Sequence, residues 1–189
     1  IKEYNDNISQ SNVQMNLKEI LVDNGYLSKE QRKKILCSHE ADIFNLDFNI
    51  QSTWEKQPTS SVLLANITEK MIKETGSKRI LVFCQEIDQA RVCAAILRDR
   101  GISATTIYGK LKKIEKNSRL DGLSSGHFNV LISVDILREG VDIPLVDGIL
   151  IFRKNVKENS PMYTQIIGRG LRGPRSQGTE KCIIWHLTH

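Results

Sequence analysis

No apolar run in these 189 residues approaches the ~18 that a membrane span requires; the longest are short stretches such as Ile149–Phe152. The N-terminus lacks the basic-then-apolar pattern of a signal peptide, and it starts at Ile1 rather than Met, as a piece of a longer chain would. Cysteine is scarce: Cys37, Cys84, Cys93 and Cys182 stand far apart with no Cys-x-x-Cys pair, which argues against a disulfide framework and a zinc site. His39, His127, His186 and His189 are equally scattered, so no metal is expected. Reduced cysteines imply a reducing, cytoplasmic setting. There is no Gly-x-x-x-x-Gly-Lys-[Ser/Thr] phosphate loop, since Gly76-Ser77-Lys78 and Gly109-Lys110 lack the spacing. The chain thus holds no triphosphate site complete in itself.

What is present suffices for a globular core: 40% of residues are hydrophobic and 26% charged. Charge is uneven. Residues 1–60 carry 7 Lys and Arg against 9 Asp and Glu, whereas residues 61–189 carry 20 against 13, a net +7. A basic C-terminal two-thirds suits a polyphosphate partner, although excess lysine is also ordinary solvated surface.

The first 59 residues read as an N-terminal extension or interdomain linker, with short helices over Asn16–Asn24 and Ser28–Cys37. The second helix would be capped by Ser28 with Gln31 three residues on. Pro58 marks a break. From there strand and helix alternate. Ser60 or Ser61 caps a helix with Leu64, Ile67 and Met71 on one face, and Ile80–Cys84 is a continuous apolar strand. Ala90, Cys93, Ala94 and Leu97 stripe a helix that ends at Gly101. Ile102–Tyr108 is a strand, Leu111–Leu123 a helix, and Val130–Ser133 and Gly148–Phe152 two more strands. Ser160-Pro161 opens a helix running to about Leu171, and Lys181–Leu187 is a final strand. The alternation predicts an α/β fold with a doubly wound, mainly parallel sheet over residues 60–189. Ligands then belong at the carboxyl ends of the strands.

Two stretches carry chemistry. In Leu137-Arg138-Glu139-Gly140-Val141-Asp142-Ile143-Pro144 the glycine lets backbone approach a phosphate, and Asp142 can accept from ribose hydroxyls; a plain glycine turn with a capping aspartate fits equally. In Gln165-Ile166-Ile167-Gly168-Arg169-Gly170-Leu171-Arg172, two glycines within a helix would cost about 2 kcal/mol against alanine, so something should need their missing side chains. Arg169 and Arg172, three apart, would share a helical face and suit a transferring phosphoryl group.

Together these stretches resemble motifs V and VI of superfamily 2 helicases, and Ile80–Gln85 is similar to their motif IV. Order and spacing fit the C-terminal RecA-like domain of such an enzyme. The resemblance implies ATP as cofactor, with magnesium held by the N-terminal RecA-like domain of the same polypeptide. It implies Gly140, Asp142 and Gly168 at the nucleotide, and Arg169 and Arg172 as the arginine-finger pair positioned by Gln165. Nucleic acid would cross the opposite strand ends at Gln85, Tyr108-Gly109 and Ser133-Val134. Many family members have Thr-Asp where this chain has Val134-Asp135, which leaves Ser133 as the available hydroxyl. DEAD-box RNA helicases usually carry Arg-Gly-x-Asp in motif V and open motif VI with His-Arg. Here Glu139-Gly140 and Gln165 stand instead, and the Leu-Arg-Glu-Gly phrase resembles excision-repair and restriction translocases, which favours DNA over RNA as the partner. A helicase-like module that binds nucleic acid without turnover is the alternative from another class; an intact arginine pair speaks against it.

Overall fold

Five of the chain's strands are runs that bury both faces, and that decides how they stack. The computed structural model describes residues 29–36, 59–136, 143, 145–153, 156, 160–170 and 172–188. Its elements are β1 (Lys29–Leu36), α1 (Thr59–Thr75), β2 (Ile80–Cys84), α2 (Ile87–Asp99) and β3 (Ala104–Tyr108). There follow α3 (Lys113–Ser124), β4 (Val130–Val134), β5 (Gly148–Ile151), α4 (Pro161–Ile167), a single 3₁₀ turn (Pro174–Ser176) and β6 (Lys181–Thr188). The six strands form one sheet in the order β1-β6-β5-β2-β4-β3, and every neighbouring pair is parallel. The doubly wound α/β architecture is therefore what the alternation of apolar runs dictates.

Strand alternation feeds two cores. Ile80, Val82, Cys84, Val130, Ile132 and Val134 face α1 and α2, meeting Leu64, Met71, Ala90, Cys93, Ala94 and Leu97. Leu81, Phe83, Leu131, Ile149, Ile151 and Ile184 face α3 and α4, meeting Leu120, Leu123, Tyr163, Ile166 and Ile167. Each such side chain contributes about 1.5–3 kcal/mol by leaving water. Among the described residues no helix is long and apolar enough to cross a membrane.

The structure corrects the sequence reading at several places. Lys29–Leu36 is a strand, not a helix: it pairs residue for residue with Lys181–Thr188. Ser28 and Gln31 are local helix signals, but the unpaired edge of β6 offers eight residues of backbone a ladder, and tertiary pairing outweighs weak propensity. The helix expected over Asn16–Asn24 lies outside the described residues. Helix α1 already includes Thr59, so Ser60 and Ser61 sit in its first turn rather than capping it. Strand β3 starts at Ala104, where its ladder with β4 opens: the Ser103 carbonyl accepts from Asn129 N and Val130 N. Helix α3 starts at Lys113, with Lys112 N donating to the Glu115 carboxylate at 3.1 Å. Helix α4 ends at Ile167, four residues before the expected Leu171.

Asp147 fastens the opening of β2 to β5. Its carboxylate accepts from Lys78 N at 2.9 Å and Arg79 N at 2.9 Å, while its own N–H donates to the Arg79 carbonyl. The turn into the central strand is thus closed from both strands.

Candidate functional site

The residues singled out from sequence fall on two opposite edges of the sheet. At the carboxyl edge, Tyr108, Val134 and Cys84 are register partners ending β3, β4 and β2. Gln85 follows β2 and is exposed; Gly109 follows β3, is exposed, and has open space where a Cβ would stand. The Gly109 carbonyl accepts from Lys116 Nζ at 2.8 Å, which draws a lysine to this loop. Tyr108 is buried, and its hydroxyl accepts from Arg91 Nη2 at 2.8 Å while the guanidinium lies 5.2 Å from the ring centroid.

Ser133 and Val134 depart from expectation. Strand alternation turns Val134 into the α1–α2 core and Ser133 toward the α3–α4 face, and both are buried. Ser133 Oγ has no hydrogen-bond partner among the described groups. Neither side chain is offered to solvent, so this strand end can present only backbone.

Sequence reasoning missed a neighbour of these residues. Arg153 Nη1 donates to Asp135 Oδ1 at 2.7 Å, joining the residue after β4 to the second residue beyond β5. Asp135 holds a left-handed φ of +58°, which aspartate tolerates better than most residues. The only sequence hint was an arginine just past an apolar strand.

The arginine turn lies at the other edge. Ser160 Oγ accepts from Tyr163 N at 3.2 Å and Pro161 takes the first helical position, so α4 is capped as its sequence requires. Tyr163, Ile166 and Ile167 bury one face, leaving Gln165 exposed. After Ile167 the chain tightens: Arg169 N donates to the Ile166 carbonyl and Gly170 N to that of Ile167. Gly168 is the C-cap of α4, its N–H still donating to the Thr164 carbonyl, and Gly170 lies in the turn beyond, so neither glycine is in a helix interior and the interior cost does not arise. Gly170 is required for a different reason. A Cβ there would overlap Cys182 Sγ and lie 2.9 Å from Ile149 Cδ1.

Cys182 and Ile149 are the second residues of β6 and β5, which puts the arginine turn at the amino edge of the sheet. This is opposite to where open α/β sheets usually bind ligands. Arg169 and Arg172 do not share a helical face, since Arg172 lies beyond the turn, where its carbonyl accepts from Thr179 N at 3.0 Å. Both are half-buried. Burial also pushes the Arg169 guanidinium below its ordinary pKa. Gly140 and Asp142 lie outside the described residues. Among the described residues no cluster of His, Cys, Asp and Glu could hold a metal ion.

An all-parallel sheet wrapped on both faces, with exposed strand exits at one edge and an arginine turn at the other, is a RecA-like α/β architecture. Residues 63–173 match the family described as "Helicase conserved C-terminal domain", and the chain belongs to that family. It is 27% identical over 106 residues to the ATP-dependent rRNA helicase rrp3 of Schizosaccharomyces pombe, covering 56% of this chain and 22% of that protein. It is 29% identical over 128 residues to DEAD-box ATP-dependent RNA helicase 21 of Oryza sativa subsp. japonica, covering 64% and 17%. The chain thus spans about a fifth of the length of these curated relatives. Among solved structures it is similar in fold to the C-terminal domain of the DEAD-box protein Dbp5, with a TM-score of 0.60, 20% identity, and coverage of 84% and 76%. It is also similar to the E. coli DEAD-box protein SrmB bound to regulator of ribonuclease activity A, with a TM-score of 0.54, 24% identity, and coverage of 68% and 69%.

Proposed function

We propose that this chain is the C-terminal motor half of an ATP-dependent RNA helicase, working with an N-terminal RecA-like domain of the same polypeptide in the cytoplasm. The motor domain is residues 60–189, and residues 1–59 are its extension or interdomain linker. The ordered pair of motif V and motif VI residues carries this reading, and the helicase names of its relatives support it. RNA replaces DNA as the first choice of partner because those relatives are RNA helicases.

The arginine turn fits a nucleotide. A guanidinium that burial has drawn from water binds an anion more strongly than one in bulk solvent. Arg169 and Arg172 would meet the γ-phosphate, with Gln165 positioning them and Gly168, Gly140 and Asp142 lining the nucleotide. ATP bound in the interdomain cleft supplies a phosphoryl group whose transfer to water is downhill. Gly170 lets the turn lie close against β5 and β6, a packed base from which the arginines would reach the partner domain. Magnesium and the triphosphate tail would be held by that domain. The carboxyl edge would meanwhile grip the strand, through Gln85, the Gly109 loop and the rim of Tyr108. With two functions on opposite edges of one rigid sheet, closure of the cleft moves the grip.

In the parent polypeptide, R169A and R172A should each lower ATP turnover by a factor of hundreds while changing nucleotide affinity little, since an arginine finger acts chiefly in the transition state. Turnover within threefold of wild type for both would reject the assignment. A second reading rests on Glu139-Gly140 and Gln165, which depart from the DEAD-box pattern toward DNA translocases. Fluorescence anisotropy with matched single-stranded RNA and DNA separates the two: preference for RNA upholds the main proposal, and preference for DNA promotes the second.

A further inference from the structure

The geometry points to Arg153 as an unassigned phosphate-binding residue of the nucleic-acid edge, with Asp135 as the anion it releases when a phosphodiester arrives. This rests on the proposed nucleic-acid reading and adds a residue and an exchange to it.

Topology locates the site. Strands β2 and β5 are neighbours, yet β2 leads to α2 on one face and β5 leads to α4 on the other. Adjacent strands whose connections leave toward opposite faces open a crevice at their carboxyl ends. Gln85 stands at one lip. On the other, Phe152 N donates to the Phe83 carbonyl at 2.8 Å, extending the ladder so that Arg153 leaves beside Gln85. Asp135 leaves β4 on the far side of β2, since Val134 and Cys84 are register partners. Strands β4 and β5 are about 9–10 Å apart, two strand spacings. Their exit side chains nevertheless meet at 2.7 Å, so the ion pair spans the exit of β2 directly over the crevice.

The two partners differ in depth. The Arg153 side chain is 14% exposed and that of Asp135 54%, so the guanidinium lies deeper and the carboxylate stands on the solvent side of the pair. A carboxylate on a row meant to meet a polyanion repels it, and this one occupies a guanidinium that could bind phosphate instead. Replacing one anion by another at a fixed guanidinium needs little rearrangement and keeps the cation paired throughout. Asp135 thereby makes loose binding weaker and releases Arg153 only to a strand seated in the crevice.

The test uses the full 189-residue chain and labelled mixed-sequence single-stranded RNA, with matched DNA as a second arm, titrated at several salt concentrations. D135N keeps a residue that tolerates the left-handed backbone and removes the competing charge. It should raise affinity about threefold or more at low salt, in line with an exposed ion pair. R153Q should lower affinity severalfold and reduce the slope of log K against log salt by about one. In an R153Q background D135N should lose most of its gain, because no guanidinium is left to release. D99N, the same charge change at the far end of α2, should stay within twofold of wild type. Thermal melting checks that each variant is folded, and R153K, keeping the charge without the fork, should bind between wild type and R153Q. A merely structural ion pair predicts that D135N and R153Q weaken binding alike, and that result overturns the inference. So does wild-type affinity in both single variants. A wild-type chain that binds neither RNA nor DNA overturns the functional reading itself.

Discussion

Gly170 is the residue on which the arginine turn rests. An alanine there would press its methyl into Cys182 Sγ and Ile149 Cδ1. Overpacking of this kind costs about 1–3 kcal/mol. G170A should lower the urea midpoint accordingly, and adding C182A should restore part of the loss; no recovery in the double variant would mean the crowding lies elsewhere. The thiols carry a second expectation. Burial pushes Cys84 and Cys182 from the ordinary 9.0 up to about 12, and Cys93 higher still. Below pH 9 these thiols are protonated in both folded and unfolded chains. Above it the unfolded chain releases their protons while the folded one keeps them, so stability falls as pH climbs from about 9 toward 12. Mass-mapped alkylation at pH 9 should therefore spare Cys84, Cys93 and Cys182 until urea unfolds the chain. Rapid native labelling of all three would contradict the burial.

At the scale of elements, Asp147 joins β2 to β5 by accepting two backbone N–H groups. D147A takes the acceptor from the part-buried Arg79 N–H, while the exposed Lys78 N–H can turn to water, and should cost about 1 kcal/mol. D147N, which keeps an acceptor oxygen, should recover part of it in chemical denaturation. The elements also show where sequence and structure part. Helices α1, α2 and α3 and strands β2 to β6 were legible, because each carries either a continuous apolar run or a stripe of buried positions. β1 was not: its ladder is with β6, about 150 residues away, and no local pattern records such a partner. The end of α4 was misplaced because glycine in a tight turn and glycine in a helix look alike in one dimension.

For the whole molecule, the two edges should separate in function. Lacking a phosphate loop, the chain alone should hydrolyse no ATP above background, with or without nucleic acid. Steady phosphate release that R172A abolishes would refute the division of labour. It should still bind single strands weakly, with little sequence preference, losing affinity between ~50 and ~200 mM salt, because phosphate contacts position without reading bases. Tight or salt-insensitive binding in anisotropy titrations would reject a phosphate-tracking edge.

The sequence by itself determined the class of fold, the order of its elements and the two motif stretches. These follow from local hydrophobic period and from residue types whose chemistry is legible at short range. Tertiary structure alone decided which side chains face outward. It turned Ser133 and Val134 inward, because a strand's side chains alternate between two faces and here both faces are covered. It moved the arginine turn to the amino edge, because α4 runs back along the sheet before the chain turns. It brought Asp135 and Arg153 together over β2, because strand order, which no local pattern encodes, sets β4 and β5 on either side of one central strand.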